Sequence, residues 1–585
     1  MVPARAQTGR STSALGDGHG TSRYPLPMRI TFLGQASLFV ESKGASILCD
    51  PWFNPSFFGS WYPFPANDGI DPEAIGHPTY LYVSHLHHDH FDPRFLRDHV
   101  DKSATVLLPD YPLDELEKSL RGLGFTDFIQ SRDLEPFQAG PFRLAIHALV
   151  APTDGPIGDS ALRIDDGEVR VLNMNDSRPI DPDKLLADGP LDALFLQFSG
   201  AIWYPVVYEY PDKAKEALGH KKRVAQLARA FRYIEMLDPA FVVPSAGPPC
   251  FLDPDLFEHN DLRDDPWNIF PDQPTFLDYI AEQDREGGRL MLPGTVAEVG
   301  RGRFEVTHPV DPASIFADKP AYLRAYQARK AESIAAERAS WQGPRVDLLP
   351  ALKEWWDPLL EQADMICAGV ADQVLLDVGD ERVVIDFVAR EVRRPTDGEE
   401  PRYQFFVARD LVDHLVREHV DDWVNELFLS MRFSARRRGA YNDYVYTFFK
   451  CLSVERLQYA EGFYAENGPS QGTFELAGYQ VQRRCPHMKA DLTRFAEVED
   501  GIMTCRLHGW SWELASGRCL TSDGHPLYAR LPGSEDLPAA GSAGGADGGV
   551  GGVGGGGGGG TDGTGGGPTT ASEVAAADEA SLGAA

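Results

Sequence analysis

Two short stretches late in the chain, RCPHMKADL and TCRLHGWSWEL, each set a cysteine and a histidine within a few residues of one another. One loop offers Cys485 and His487, and the other, after 17 intervening residues, offers Cys505 and His508. Two thiolates can hold one iron of a two-iron cluster and two imidazoles the other, a mixed ligation that raises the potential above that of an all-cysteine centre. A tetrahedral zinc site with the same four donors is the competing reading. Zinc fingers usually pair two cysteines and then two histidines, whereas each loop here mixes the types. Around the motif, residues 453–535 carry short strand and turn signals and read as an all-β unit.

The flanking residues CPH, DL and HGW-x-W resemble the Rieske [2Fe–2S] family. That resemblance implies that Cys485, His487, Cys505 and His508 bind the cluster. The respiratory members of the family add a cysteine to each loop to form a disulfide, and the corresponding positions here are Ala490 and Leu507. The sequence therefore looks like the low-potential ferredoxin and oxygenase type, which passes electrons to an oxygen-activating metal. Trp510 and Trp512 read as packing around the cluster, with partner docking as the sharper alternative.

A second cluster of metal-binding residues lies in YLYVSHLHHDHFDPRF. After a strand, His85 and His87 can reach one metal, while Asp89 and His90 point to a second. Asp92 is placed to cap a helix that starts at Pro93. Several adjacent buried histidines are costly unless a metal explains them. His88 reads as a spectator.

HLHHDH is similar to the HxHxDH signature of the metallo-β-lactamase superfamily, whose fold is an αββα sandwich with a two-metal site at one edge. The segments LGQASLFV, ILCDPWF and VLNMNDSRP extend the likeness. By position, the resemblance makes Asp176 the carboxylate bridging two metals and sets Asp50 just behind them. Two histidines usual in that family are missing. Near APTDGPIGDSAL the nearest candidates are Asp154, taken as the candidate ligand, and Asp159, with His147 upstream; after the last strand the chain has VVPSAGPPCFL. An ordinary Asx turn is the alternative for Asp154. A carboxylate-richer site suits iron, or manganese, better than a hydrolytic zinc pair.

Among families that join these two domains, the chain most resembles the CMP-N-acetylneuraminate hydroxylases, through SGAIWYPVVYEYP, the helix that follows, NDSRP and VVPSAGPPCF, although in those enzymes the Rieske domain comes first. This implies a non-heme iron oxygenase, mononuclear or dinuclear, that hydroxylates or N-oxygenates a small molecule of nucleotide-sugar or amino-sugar type. It would use O2 and electrons from a ferredoxin, cytochrome or flavin reductase. The rival function is a zinc-dependent hydrolase whose Rieske domain senses redox state. Arg432, Arg436, Arg437 and Arg438 could clamp an anionic substrate, but read more simply as ion-pair partners. Tyr204 and Tyr208 fit either a pocket wall or a core.

With 585 residues the chain needs several cores, and 43% hydrophobic residues can fill them. The expected organisation is α/β and multidomain: a disordered leader (1–27), a lactamase-like domain (28–270), a mixed α+β middle region (271–452), the Rieske unit (453–535) and a disordered Gly/Ala-rich tail (536–585). In the middle region, PAYLRAYQARKAESIAAERASW predicts one long helix, DQVLLDVGDERVVIDFVA a hairpin turning near Gly379, and Asp410–Phe449 a helical stretch. The formal charge of −32 excludes nucleic acid as a partner and points either to simple solubility or to a basic redox partner. No run of apolar residues is long enough to span a membrane. The leader lacks an apolar secretory core, and seven cysteines suit reduced thiols, so the expected location is the cytoplasm. An oligomer is compatible with this reading.

Overall fold

The computed structural model describes residues 27–263, 265–466, 468–469 and 472–532. The expected leader (apart from Pro27) and the expected tail lie outside the described residues.

The N-terminal part consists of two sheets packed face to face. Met28–Gly34, Ser37–Ser42 and Ala45–Cys49 form an antiparallel meander that continues through the parallel strands Tyr80–Tyr82, Thr105–Leu108 and Phe128–Gln130. The second sheet runs from Phe137–Ala139 through Phe142–Leu149, Asp159–Asp165, Arg170–Asn173 and Ala193–Gln197 to Phe241–Ser245. Alternation along each strand decides which side chains meet. Ile30, Phe32, Leu38 and Val40 from the first sheet interlock with Leu144, Ile146, Leu162 and Ile164 from the second.

The opposite faces carry helices. Val106 and Leu108 pack on Phe95 and Leu96 of the helix Pro93–His99 and on Leu116 and Leu120 of Glu115–Gly122. Leu194 and Val242 pack on Leu227, Tyr233 and Ile234 of the long helix Asp212–Leu237. This is the expected αββα sandwich. It does not close at residue 270, however. Val296–Gly300 pairs with Met28–Thr31 and Arg303–Thr307 pairs outside it, becoming the edge strand of the first sheet.

The middle region departs from its expected elements in two places. The single long helix is broken into Lys319–Arg329 and Ala331–Ser340 at Lys330, whose N–H turns back to the Gln327 and Tyr326 carbonyls. The expected helical stretch from Asp410 holds the helices Arg409–Arg417 and Asp443–Lys450, but between them Phe433–Arg437 is a strand. It pairs with Tyr403–Val407 and alternates buried Phe433, Ala435 and Arg437 with the more exposed Ser434 and Arg436. The hairpin forms as expected, with Gln373–Asp377 against Arg382–Asp386 and Gly379 at positive φ.

The resulting five-stranded sheet is capped at its Phe433–Arg437 edge by the first part of the chain. Ala435 N–H donates to Val207 O, and Glu209 N–H donates to Ala435 O. The helix Val454–Ala465, expected within the Rieske unit, belongs instead with this region, since Tyr464 hydrogen-bonds Thr447 and Leu457 and Ala460 join its core.

The C-terminal unit has two three-stranded sheets: Thr473–Leu476, Tyr479–Gln482 and Ala529–Arg530, and Ala496–Glu499, Ile502–Cys505 and Trp510–Glu513. No helix among the described residues is long and apolar enough to cross a membrane.

Candidate metal centres and the pocket between them

The first centre is built on a strand end. Tyr80–Tyr82 leads into His85–His90, and Asp92 then caps the next helix by accepting from Phe95 N–H at 2.9 Å, a cap worth about 1 kcal/mol. The other oxygen of Asp92 accepts from Phe53 N–H and Asn54 N–H, which ties this turn to the DPWF segment.

His85 Nε2 lies 2.8 Å from His87 Nδ1 and 3.8 Å from Asp176 Oδ2. The same Asp176 oxygen lies 3.5 Å from His90 Nε2, which is in turn 3.8 Å from Asp89 Oδ2. Asp176 therefore sits between a His85/His87 pair and an Asp89/His90 pair, and ligand atoms of His85, His87 and Asp176 all fall within 4.8 Å of one another. Behind them, buried Asp50 accepts from Ser84 N–H at 2.6 Å and meets His90 Nδ1 at 3.2 Å, an outer contact of the kind that orients metal-binding imidazoles. Asp176 is fixed by its neighbour Asn175, at positive φ, whose side-chain oxygen accepts from Asp176 N–H and whose amide donates to Ser160 O.

Two observations fit a metal here. Within the protein, His90 Nε2 and Asp176 Oδ1 are buried without a hydrogen-bond partner, a costly state unless something else satisfies them. The ionisation states also suit ligation. Burial opposes charge on Asp176, but His90, His85 and Arg178 hold it below the usual carboxylate range. Burial and the neighbouring His85 keep His87 neutral at physiological pH.

Of the two candidate aspartates in TDGPIGDS, Asp159 is the one in contact with this group, at 3.3 Å from His85 Nδ1. Asp154 lines the same pocket, but its Oδ2 accepts from Ala151 N–H at 2.9 Å, a contact three residues back; it is not the Asx turn of the alternative reading, because Pro156, two residues on, has no N–H to give. Burial and the nearby Asp159 raise its carboxyl to about 7. His147 is engaged elsewhere, with Nδ1 at 2.8 Å from Asp133, and His88 turns to Glu426.

In the second centre, Cys485 and Cys505 are buried in two loops that approach each other, and the His487 and His508 rings lie 5.5 Å apart. Both nitrogens of both imidazoles are buried with no protein hydrogen bond. Burial holds both rings neutral. Burial and the adjacent Cys505 push the Cys485 thiol up. Two buried cysteines beside two neutral imidazoles with unpartnered nitrogens are what an iron–sulfur cluster of this ligation needs. Trp510 stacks on His487 at 3.9 Å, and its buried partner Trp512 donates to His525 O.

A pocket lies between the two centres. His87, Asp159 and Asp176 form part of one wall; Trp203, Tyr204, Tyr208 and Tyr446 are aromatic lining; Arg178, Arg437 and Lys450 bring cationic groups. Asp443 completes it from the helix Asp443–Lys450 and lies 3.5 Å from His525 Nε2, on the cluster side. Tyr204 and Tyr208 are thus pocket residues. Of the arginine run, Arg432 pairs with Asp253, Arg436 with Glu209 and Arg438 with Glu400, and Arg437 alone reaches the pocket. The sequence offered no sign of Asp443 or His525, which meet across 82 residues of chain; Arg178 could have been suspected from its place two residues after Asp176.

Comparison with known proteins places these centres in domains. Residues 29–246 match a β-lactamase superfamily domain, 348–466 an Rv3818-like, SCP2-like domain and 477–530 a Rieske [2Fe-2S] domain. A Mycolicibacterium smegmatis protein named as a Rieske 2Fe-2S iron–sulfur protein is 49% identical over 513 residues, covering 86% of this chain and 99% of that one. The chain belongs to this Rieske iron–sulfur protein family. A Mycobacterium tuberculosis member is 47% identical over 516 residues, covering 86% of this chain and all of its own length. The family thus joins a lactamase-like domain, an SCP2-like domain in the middle region and a C-terminal Rieske domain. A more distant relative, the 4-amino-L-phenylalanyl-[CmlP-peptidyl-carrier-protein] 3-hydroxylase of Streptomyces venezuelae, is 28% identical over 237 residues, 36% of this chain and 42% of that protein.

Proposed function

We propose that this Rieske protein is an iron-dependent oxygenase that hydroxylates or N-oxygenates a small organic molecule. The observation that carries the reading is the pocket itself: the His87/Asp176 wall and the Asp443 wall face one cavity, and Asp443 is joined through His525 to the cluster side. In this reading Cys485, Cys505, His487 and His508 hold the [2Fe–2S] cluster. His85, His87, Asp89, His90 and Asp176 hold one or two irons, with Asp159 taking the part first expected of Asp154. Iron bound there would supply O2 activation, drawing electrons from the cluster.

The chain's own groups do the rest. Arg178 lies close to Asp176, Asp154 and Asp159 on one side, where its charge favours the carboxylates, and to His487 and His508 on the other, where it favours the neutral imidazoles. Trp203, Tyr204, Tyr208 and Tyr446 exclude water from the reacting centre. Arg437 and Lys450 favour a substrate with an anionic group, compatible with a nucleotide sugar or an acidic amino sugar. The distant relative with a named activity acts on a carrier-bound amino acid, which supports hydroxylation as the reaction and leaves the amino-acid class open as substrate. A ferredoxin, cytochrome or flavin reductase would supply electrons, in the cytoplasm.

The test is to reduce the protein anaerobically, mix it with O2 and follow return of the oxidised cluster spectrum. Wild type should reoxidise rapidly, and His87→Ala at least about tenfold more slowly, a barrier change of about 1.4 kcal/mol. Equal rates would contradict the proposal.

A further inference from the structure

The cluster's other side opens on a groove between the long helix Asp212–Leu237 and the loop that carries Cys505 and His508. Five cations line it, namely Lys221, Arg229 and Arg232 from the helix and Arg506 and Arg518 from the Rieske domain, and His508 lies in its floor. Among the described residues no carboxylate lines this groove. Among the described residues, Glu497 pairs with Arg506 and Glu235 lies beside Arg232; counting both, positive charge remains in excess. This contrasts with a formal charge of −32 for the whole chain. Ile502, a large apolar side chain 40% exposed, lines the groove together with Ala225, Ala228 and Leu507.

A redox centre whose ligand forms the floor of an exposed, charged groove with apolar contacts has the make-up of a docking site for a protein electron carrier. Complementary charge steers such an encounter and raises its rate by about 10- to 1000-fold. We infer that this groove docks a small acidic one-electron carrier of the ferredoxin type, which reduces the cluster through the His508 edge. One electron leaves the carrier's iron–sulfur centre and reduces the Rieske cluster by one electron, with no proton or bond change. The local field thus selects the opposite partner from the one the whole-chain charge favours, because screening limits each encounter to charges within about 10 Å at 0.1 M salt. The inference rests on the Rieske domain and is independent of the oxygenase reading.

The test uses the full chain with its cluster and a small acidic plant-type [2Fe–2S] ferredoxin as probe. Binding of the oxidised probe is measured by fluorescence anisotropy without O2, and cluster reduction by the reduced probe is followed by stopped flow. Association should weaken steeply as ionic strength rises from about 0.01 M to about 0.15 M, over which the Debye length shrinks from about 30 Å to about 8 Å. The double variant Arg506→Glu/Arg518→Glu should lose about tenfold or more in both readouts at low salt, while reduction by an uncharged small-molecule reductant stays at the wild-type rate. Should the double variant lose its cluster spectrum, Arg518→Gln, which removes one exposed charge, is judged by the same direction of change. Unchanged binding in the charge variants, or tighter binding of a basic cytochrome than of the ferredoxin, would overturn the inference. Failure of the oxygenase reading would show instead in the O2 reaction, with docking intact.

Discussion

His525 and Asp443 face each other at 3.5 Å across the junction of the Rieske and SCP2-like domains. His525 also meets the edge of Trp510, the ring that stacks on His487, while Asp443 lines the pocket that holds His87 and Asp176. Tyr441 and Tyr464 hydroxyls donate to the same Asp443 carboxylate, which keeps it in place. Asp443→Asn preserves size and removes the charge. It should keep the visible cluster spectrum and slow O2-driven reoxidation by about tenfold, about 1.4 kcal/mol. A rate equal to wild type would exclude Asp443 from the connection.

The two centres should be separable by mutation. His508→Ala should abolish the cluster spectrum and leave the lactamase-like metals in place, and His85→Ala should do the reverse. Metal analysis and visible absorption on both variants check this. If His85→Ala also erases the cluster spectrum, the two-site assignment is wrong.

Asp159 and Asp154 are distinguishable by metal affinity. Asp159 touches His85, whereas Asp154 closes a turn on Ala151. Asp159→Ala should weaken retention of the lactamase-like metal by about 10- to 100-fold, measured by competition with a chelator. Asp154→Ala should change it by much less.

Asp253 joins three parts of the chain, pairing with Arg432 at 2.7 Å and with Arg338, and its side chain is fully buried. Burial opposes its charge, but the Arg338 hydrogen bond and the Arg432 guanidinium hold its carboxyl at about 2, below the unfolded value of about 3.9. A depressed native value means the stabilisation is full above the unfolded value and is lost as pH falls through the native one. Arg432→Ala should therefore cost about 1.5 kcal/mol at pH 7, the loss of one charged hydrogen bond, since Arg338 keeps the carboxylate paired. The gap between wild type and variant should narrow between pH 4 and pH 2, as read by thermal melts across that range.

The grouping of the candidate ligands was largely legible in the sequence because it depends on local spacing. Cys485 through His487, Cys505 through His508 and His85 through His90 each lie within one short loop, and short apolar runs marked the sandwich strands. What the sequence hid depends on distance. The strands Val296–Gly300 and Arg303–Thr307 return to the first sheet from far along the chain, and their short patterns carry no partner information. Phe433–Arg437 lies between two helices and gains its strand form by pairing with Tyr403–Val407 and Tyr208, a tertiary override of local preference. Asp159 outcompeted Asp154 for the same reason: a strand start points it at His85, and only the register reveals that.

The central claim is that the lactamase-like site holds iron fed by the cluster. The most direct measurement is metal analysis, with Mössbauer spectroscopy, of protein purified without O2. About four irons per chain are expected for a cluster and a di-iron site, or about three for a mononuclear one; two irons with two tightly held zincs would contradict the account.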